Sequence, residues 1–248
     1  MKDIPYRILE HFKEESWSLD FKKETIPSFN SESELSRWAI NESKWPYLPL
    51  ILPNAPYSDM LREAKALEEY FVDHRTEKGM SIEYVNKGWT SVCIHGEEWN
   101  KTETFTKYPE NKGKTEEEIE YKWCSEITDK CPITAQYFKE EFPAQEYYRL
   151  RFMWLRPGGY ILPHKDRNFS MLFPVNIALS NPEGCIFRME GKGDVPFTDG
   201  GSACLVDISN SHSVWNRSEK PRIHMIVHFK QDKRFESIIA KSIEALVS

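Results

Sequence analysis

The segment "YYRLRFMWLRPGGYILPHKDRN" (residues 147–168) decides the fold. Residues 147–155 are rich in β-favouring side chains and predict a strand, and Gly158 and Gly159 predict a turn because glycine accepts backbone angles that other residues avoid. The chain then returns to the core and reaches His164 and Asp166. Residues two apart on a strand project from one face, so these two side chains can share a metal ion. The segment therefore predicts both β structure and a candidate site.

The remainder of the C-terminal half consists of short β-like segments. Turn sequences such as "SNPEG" and "TDGG" separate them at intervals of about ten residues. This spacing predicts an antiparallel sandwich or barrel. The predicted strands are Tyr147–Leu155, Ser170–Leu179, Cys185–Met189, Ala203–Ile208 and Arg222–Phe229.

The N-terminal half has a mixed pattern. Trp17–Phe21 and Trp45–Ile51 are typical of strands, as is "SIEYVNKGWTSVCIHG" (residues 81–96). A helix is predicted from a cap at Ser58 or Asp59 to near His74, and a second from Pro132 through Phe138. The run of acidic residues at 116–118 indicates a solvated helix face. The apolar face of residues 235–246 predicts a C-terminal helix that packs on the sheet.

These patterns predict one domain over residues 1–248. Residues 1–146 would form a mixed α/β portion that flanks the barrel, residues 147–230 the β core with the metal site, and residues 231–248 the C-terminal helix. A chain of 248 residues can bury such a core.

Charge and composition exclude several functional classes. The net charge is −6 and the basic residues are interspersed with acidic ones, so no surface for nucleic acid is expected. No apolar run reaches signal-peptide length or the roughly 18 residues of a membrane span. The five cysteines are widely spaced and lack a CxxC pair, which indicates reduced thiols. We therefore expect a soluble cytoplasmic protein with no membrane partner.

A second cluster of polar residues strengthens the prediction that His164 and Asp166 bind a metal. In "DISNSHSVWNRSEKPRIHMIVHF" (residues 207–229), His212 lies 48 positions after His164, enough chain to go around a small barrel and return. Two histidines and one carboxylate form the facial triad of non-haem Fe(II) oxygenases, whereas structural zinc more often uses cysteines. Arg222 follows on the next strand, where a guanidinium is suited to bidentate recognition of a carboxylate. Taken singly, each of these residues has an ordinary structural interpretation, as a turn, loop or surface residue.

The segments "PGGYILPHKD", "FPVNIALSNPEG" and "HSVWNRSEKPR" resemble the Fe(II)/2-oxoglutarate-dependent oxygenases, and within them the aspartyl/asparaginyl β-hydroxylase-like group, which includes a bacterial proline cis-hydroxylase. The resemblance is clearest over residues 147–229. It implies a mainly β fold, a double-stranded β-helix of jelly-roll, cupin-like type with flanking α-helices. It also implies an enzyme that uses Fe(II) and 2-oxoglutarate, with ascorbate in support, and that releases succinate and carbon dioxide.

The resemblance assigns roles to individual residues. His164, Asp166 and His212 match the metal ligands, and Arg222 matches the arginine that holds the distal carboxylate of 2-oxoglutarate. Asn176 occupies the position where animal aspartyl hydroxylases carry a co-substrate-binding histidine. Those animal enzymes lack the carboxylate ligand, whereas this chain has Asp166 and is closer to the ordinary three-ligand oxygenases. A halogenating relative would need a small residue at this position to admit halide, so Asp166 favours hydroxylation.

Two questions stay open at the level of sequence. Arg149 and Arg151 lie on the strand that leads into the metal loop and contact either a substrate carboxylate or surface acids. His224 and His228 share the strand face of Arg222 and serve either as hydrogen-bonded core residues or, for His224, as a substrate contact. The leading hypothesis is a hydroxylase of an amino acid, free or in a peptide or protein. The alternative is a cupin-like binding or sensor module without turnover.

Overall fold

A computed structural model describes residues 4–22, 25–75 and 85–248. Within that part of the chain, eleven strands form one strongly curled antiparallel sheet and six α-helices flank it. The strands are β1 Tyr47–Leu50, β2 Val72–Asp73, β3 Lys87–Gly96, β4 Lys122–Trp123, β5 Ala144–His164, β6 Val175–Ser180, β7 Cys185–Met189, β8 Gly193–Asp194, β9 Ser202–Val206, β10 His212–Asn216 and β11 Arg222–Gln231. The helices are α1 Tyr6–His11, α2 Glu32–Asn41, α3 Tyr57–Ala66, α4 Ser125–Thr128, α5 Pro132–Glu140 and α6 Lys233–Val247.

The long strand β5 joins two halves of the curled sheet. Its N-terminal part pairs with β11, and the order continues through β6 and β9 to β1. Its C-terminal part pairs with β10, and the order continues through β7 to β8. This pairing places two antiparallel layers face to face, which is the arrangement of a double-stranded β-helix. The predicted mainly β fold with flanking helices is confirmed.

Successive residues of β5 point alternately to the two faces of the sheet, one packed against the helices and the other lining the space between the two layers. Leu150 and Phe152 are fully buried in an apolar cluster that includes residues of α2, α3, α5 and α6. Arg151 and Met153 point the other way and line a cavity between the two layers. Burial of each large apolar side chain stabilises the fold by about 1.5–3 kcal/mol, so the helices hold the sheet from one side and leave its inner face free for a site.

Most sequence predictions agree with these elements. The strand predicted at Cys185–Met189 is β7, the helix predicted from Pro132 is α5, and the C-terminal helix is α6, which begins after Asp232 accepts hydrogen bonds from two backbone N–H groups. The region predicted as Trp45–Ile51 contains β1. Of the predicted strand region 81–96, residues 87–96 form β3, and residues 81–84 lie outside the described residues.

The strand predicted at Trp17–Phe21 is wrong. This segment belongs to no strand; its main contacts are a hydrogen bond from the Asp194 N–H to the Trp17 carbonyl and one from the Leu19 N–H to the Tyr47 hydroxyl. Isolated bonds of this kind fix an extended segment without forming a ladder.

The helix predicted to run to His74 is too long. It ends at Ala66, a short 3₁₀ turn follows, and Val72 and Asp73 pair with β3. Pairing with β3 outweighs the helical spacing of the apolar residues there.

The strand predicted from Ser170 starts five residues later, at Val175. The Ser170 hydroxyl is bound to Asp207, and the carbonyls of Met171 and Phe173 accept hydrogen bonds from Arg167. The two backbone carbonyls thus bind a side chain and not a neighbouring strand. The acidic run at 116–118 is an exposed 3₁₀ turn, and no helix in the described part of the chain combines the length and apolarity needed to cross a bilayer.

Candidate active site

The three residues predicted as metal ligands come together at one end of β5 and β10. His164 and His212 face each other as paired residues of the two strands, with their ring centroids 4.3 Å apart. The Asp166 Oδ2 atom lies 3.7 Å from His164 Nε2 and 3.8 Å from His212 Nε2. One ligand atom from each residue lies within 4.8 Å of the other two, so a single ion can bind all three.

Hydrogen bonds to backbone carbonyls orient both imidazoles. His164 Nδ1 donates to the Leu162 carbonyl at 2.7 Å, and His212 Nδ1 donates to the Asn210 carbonyl at 2.9 Å. The proton on Nδ1 leaves the Nε2 lone pair free for a metal, as in most protein metal sites with histidine ligands. Burial and the neighbouring His164 lower the pKa of His212 to about 4, which keeps its ring neutral.

A bulge in β5 turns His164 toward the site. Between the pairs His212–His164 and Val214–Ile161, β10 advances two residues while β5 advances three. The extra residue breaks the strict alternation of side chains, so that Ile161 and His164 both line the cavity. The sequence argument that His164 and Asp166 share one face of a strand does not apply, because Asp166 lies beyond the end of β5.

Asp166 is held by contacts outside the strand. Its N–H donates to the Ile208 carbonyl at 3.0 Å, and its Oδ1 atom accepts a hydrogen bond from Arg75 at 2.8 Å. Burial raises the pKa of Asp166, but the contacts with His164, Arg75 and His212 outweigh burial and hold it well below its usual range. The carboxylate is therefore ionised and ready to bind a cation.

Arg222 lies in the interior without a carboxylate partner among the described residues. It is 4% exposed; its Nε donates to Asn181 Oδ1 at 3.3 Å and its Nη2 to His224 Nδ1 at 2.8 Å. Burial lowers the pKa of Arg222 to about 10. A buried guanidinium is costly when its charge is not balanced, so this position favours an anionic ligand.

One cavity of about 170 Å³ connects the triad, Arg222 and the other predicted site residues. Five of the seven histidines and four arginines line it, against two carboxylates. Its lining is His74, Arg75, Trp89, Glu103, Thr104, Arg149, Arg151, Met153, Ile161, His164, Asp166, Pro174, Asn176, Phe187, Ile208, His212, Val214, Arg222, His224, Ile226 and His228.

Arg149 and Arg151 present further positive charge to this cavity. Arg151 Nη1 donates to the Thr102 carbonyl at 2.5 Å and Arg149 Nη1 to the Glu103 carbonyl at 2.9 Å, and the Nε atoms of both are buried without a partner. Burial and Arg149 lower the pKa of Arg151 to about 9. Neither arginine forms an ion pair within the described part of the chain, so the interpretation of Arg149 and Arg151 as partners of surface acids finds no support.

Asn176 and His224 also face the cavity. Asn176 lies on β6 and is 4% exposed. His224 shares the inner face of β11 with Arg222 and His228, as the strand alternation predicts. The Nε2 atom of His224 lies 3.2 Å from Asn181 Oδ1, so both of its ring nitrogens already have protein partners.

Sequence reasoning missed several residues of the cavity. His74 lies 2.9 Å from the Ser91 hydroxyl and 3.1 Å from that of Thr102, Arg75 binds Asp166, and Glu103 accepts the Arg75 N–H. These residues come from loops distant in sequence from the metal motif, and no local pattern marks them.

The family is decided by a sequence match over most of the chain. Residues 54–232 match the model of the family described as aspartyl/asparaginyl beta-hydroxylase. The chain belongs to this family. The predicted resemblance is thus confirmed, and the alternative of a cupin-like module without turnover receives no support.

Solved structures provide more distant similarities. A Pseudomonas putida prolyl-4-hydroxylase is 14% identical, with a TM-score of 0.41 over 79% of this chain and 98% of that one. A 2OG-Fe(II) oxygenase family oxidoreductase from Burkholderia pseudomallei is 8% identical, with a TM-score of 0.44 over 83% and 92%. A Trichoplax adhaerens prolyl hydroxylase, in complex with a hypoxia inducible factor peptide fragment, is 13% identical, with a TM-score of 0.43 over 88% and 94%. No curated protein sequence gives a significant match.

Proposed function

We propose that this family member is an Fe(II)- and 2-oxoglutarate-dependent dioxygenase that hydroxylates an unactivated C–H of an amino acid, free or in a peptide or protein. His164, Asp166 and His212 would hold the iron and Arg222 the distal carboxylate of 2-oxoglutarate. The observation that carries the proposal is that one cavity contains a cluster of two imidazoles and one carboxylate, together with a buried arginine that has no carboxylate partner among the described residues.

The donor set fits Fe(II). Two imidazoles and one carboxylate form one face of a coordination sphere and leave the other face for co-substrate and oxygen. Cysteine ligands would favour zinc or an iron–sulfur cluster, but the five cysteines are buried elsewhere and do not belong to the cluster. When bound, the iron supplies the oxidative chemistry, with release of succinate and carbon dioxide, and the protein supplies orientation and exclusion of water.

The contacts of Arg222 define how the chain prepares the co-substrate site. Asn181 and His224 leave part of the planar guanidinium free for a bidentate bond to a carboxylate. Phe187 and Phe197 lie within 6 Å of this guanidinium and keep the site apolar. We infer that His224 orients Arg222, in addition to its predicted role as a substrate contact, and that Asn176 contacts 2-oxoglutarate from β6.

The charge of the cavity favours a substrate with a carboxylate. Four arginines and two carboxylates line it, which leaves about two positive charges, and Fe(II) with a 2-oxoglutarate dianion does not change that balance. Of the arginines that line the cavity, Arg149 and Arg151 have buried Nε atoms without a partner among the described residues. We infer that they bind a carboxylate of the substrate, which extends the predicted role of Arg151.

Release of succinate tests the activity. Purified protein with Fe(II), ascorbate, 2-oxoglutarate and oxygen should form succinate slowly without prime substrate and faster with it. His212→Ala should remove bound iron, and Arg222→Ala should weaken 2-oxoglutarate binding by at least about tenfold while iron is retained, because loss of a charged hydrogen-bonded pair costs about 1.5–3 kcal/mol. No succinate across a broad panel of amino acids and peptides, or normal iron in His212→Ala, would contradict the proposal.

A separate comparison tests the substrate carboxylate. Substrates accepted from the panel should lose activity when the relevant carboxylate is replaced by its amide, and Arg151→Met should raise the KM for substrate. The slow formation of succinate without substrate is the control, since it does not involve Arg151 and should persist. Equal activity with acid and amide would show that Arg149 and Arg151 serve another purpose.

The state of the cysteine thiols indicates the cellular compartment of the protein. All five cysteines are buried and unpaired, which suits a reducing compartment, and we propose a cytoplasmic location.

A further inference from the structure

The N-terminal arm, residues 4–19, crosses the outer face of the sheet half that carries both histidine ligands. Its helix α1 packs against β5 and β10. Ile8 is fully buried there with Tyr160 and Leu162 of β5, and Phe12 packs edge-on against Trp215 of β10 at 5.7 Å. The arm therefore lies directly behind the two strands that present the metal ligands.

The first polar contact of the arm is at the β5 bulge. Arg7 Nη2 donates to the Pro163 carbonyl at 2.8 Å, one residue before His164. The neighbouring Leu162 N–H is bound by the Asn86 side chain at 2.9 Å. A bulge leaves backbone groups outside the sheet ladder, and a hydrogen bond from an anchored side chain to such a group favours one geometry of the bulge. Arg7 thus fixes the backbone that turns His164 into the cavity.

The second polar contact of the arm is next to the other histidine. His11 Nδ1 and the Ser213 hydroxyl are 2.6 Å apart, and Ser213 is completely buried. Ser213 follows His212 on β10 and points to the opposite face of the strand, toward the arm. The arm therefore contacts the residue beside each histidine ligand.

Further contacts hold the arm in place after α1. Arg188 of β7 donates to the Glu14 carbonyl at 2.9 Å and its guanidinium lies 5.2 Å from the Phe12 ring. The Trp17 carbonyl accepts a hydrogen bond from the Asp194 N–H at 2.6 Å. The arm thus contacts four strands of the same sheet half. These contacts hold Arg7 and His11 in place.

The arm lies outside residues 54–232, which match the family model. We propose that Arg7 and His11 are positioning residues that hold His164 and His212 in metal-binding geometry from behind. This proposal rests on the assignment of the iron ligands above. Partners behind a ligand change metal affinity because they set the orientation that the ligand holds before the metal arrives.

Metal affinity, and not activity, is the direct measure of this role. Binding of Co(II) and of anaerobic Fe(II) to the full chain would be measured by competition with a chelator, together with thermal unfolding of the metal-free protein. We expect Arg7→Met and His11→Phe each to weaken metal binding by about tenfold. Arg7→Lys, which keeps a donor, should recover part of the loss. Arg37→Met is the matched control, since Arg37 is an exposed arginine on α2, a helix that packs against α6, and does not line the cavity.

A double-mutant cycle separates positioning from general stability. Ser213→Ala should weaken metal binding as His11→Phe does, and the double variant should lose little more, because both changes remove the same hydrogen bond. Unchanged metal affinity in the variants, whether or not the metal-free protein becomes less stable, would overturn the proposal and leave the arm a purely structural role. Absence of metal binding in the unmodified protein would instead contradict the proposed function.

Discussion

Asn181 lies within hydrogen-bonding distance of both Arg222 and His224, next to the proposed co-substrate site. Its Oδ1 atom accepts from Arg222 Nε at 3.3 Å and lies 3.2 Å from His224 Nε2, and its amide donates to the carbonyls of Cys185 and Phe197. It lies in the turn "SNPEG", where the sequence indicates only a turn residue. Its role depends on the return of β11 beside that turn, which no local pattern reveals.

Replacement of Asn181 by aspartate should weaken 2-oxoglutarate binding more than replacement by alanine does. Aspartate has the same shape but gives Arg222 a protein carboxylate, so that the co-substrate must compete with an internal ion pair. We expect a loss of tenfold or more for Asn181→Asp, since hydrogen bonds to charged groups contribute about 1.5–3 kcal/mol. The measurement is the KM for 2-oxoglutarate in succinate release, with bound iron as the control. A larger effect of Asn181→Ala would show that orientation, and not charge balance, governs this site.

The proposed ligands could be picked out from the sequence, whereas the residues that support them could not. His164, Asp166 and His212 occur in a motif with a defined spacing, and Arg222 begins the next strand along the chain. Arg75, by contrast, reaches Asp166 from 91 positions away, at a site with no repeated pattern. A short motif reveals functional side chains that lie close together in the sequence. Residues that hold those side chains in place from other helices, strands or loops are brought near only by the tertiary fold.

At the scale of elements, β5 organises the molecule because it belongs to both halves of the sheet. Its two halves meet at Gly158 and Gly159. The turn predicted at these two glycines is wrong, because the chain continues there as one strand of 21 residues. Gly158 has a φ of 68°, which glycine adopts at little cost. Gly159 lies so close to β3 that a Cβ atom would be 2.7 Å from the Lys87 carbonyl oxygen.

Alanine at these two glycines should therefore have different costs. A Cβ at Gly158 meets no atom within 4 Å, so Gly158→Ala should cost about 1–2 kcal/mol from backbone strain alone. Gly159→Ala must displace the backbone of β3 as well as Arg156, whose carbonyl oxygen would be 2.8 Å away, and we expect a cost above about 2 kcal/mol. Urea unfolding of the two variants measures the difference. An equal or smaller cost at Gly159 would mean that β3 can move away from β5 without penalty.

The ends of the helices and strands show where tertiary contacts, and not the local sequence pattern, determine the structure. β7 has the predicted ends because its alternation and flanking turns agree. The helix predicted to His74 ends at Ala66 because residues 72–73 pair with β3, and the predicted strand at Ser170 is delayed because Arg167 and Asp207 bind residues 170–173. The errors thus occur where side chains from other elements bind a segment that has no strong pattern of its own.

At the scale of the whole molecule, the layered fold keeps most histidines buried and neutral. Burial lowers the pKa values of His74, His224 and His228 well below the usual range for histidine. The neighbouring arginines act in the same direction for all three. Because the unfolded chain binds protons at these positions near pH 6.5 and the folded chain does not, stability should fall as the pH is lowered.

His95 allows this dependence to be tested away from the proposed active site. It lies on β3 between Trp123 and Tyr147, is 7% exposed, and burial lowers its pKa to about 4. The stability that depends on neutral His95 is fully present above about pH 6.5 and is lost progressively as the pH falls toward 4, a loss of about 3 kcal/mol. Urea unfolding of the metal-free protein between pH 7.5 and 4.5 should show this decline, and His95→Gln should reduce its slope by about one proton. The decisive quantity is the slope of the unfolding free energy against pH. A loss of stability in His95→Gln that is the same at every pH reflects altered packing. An unchanged slope would mean that His95 accepts a proton in the folded state as readily as in the unfolded chain.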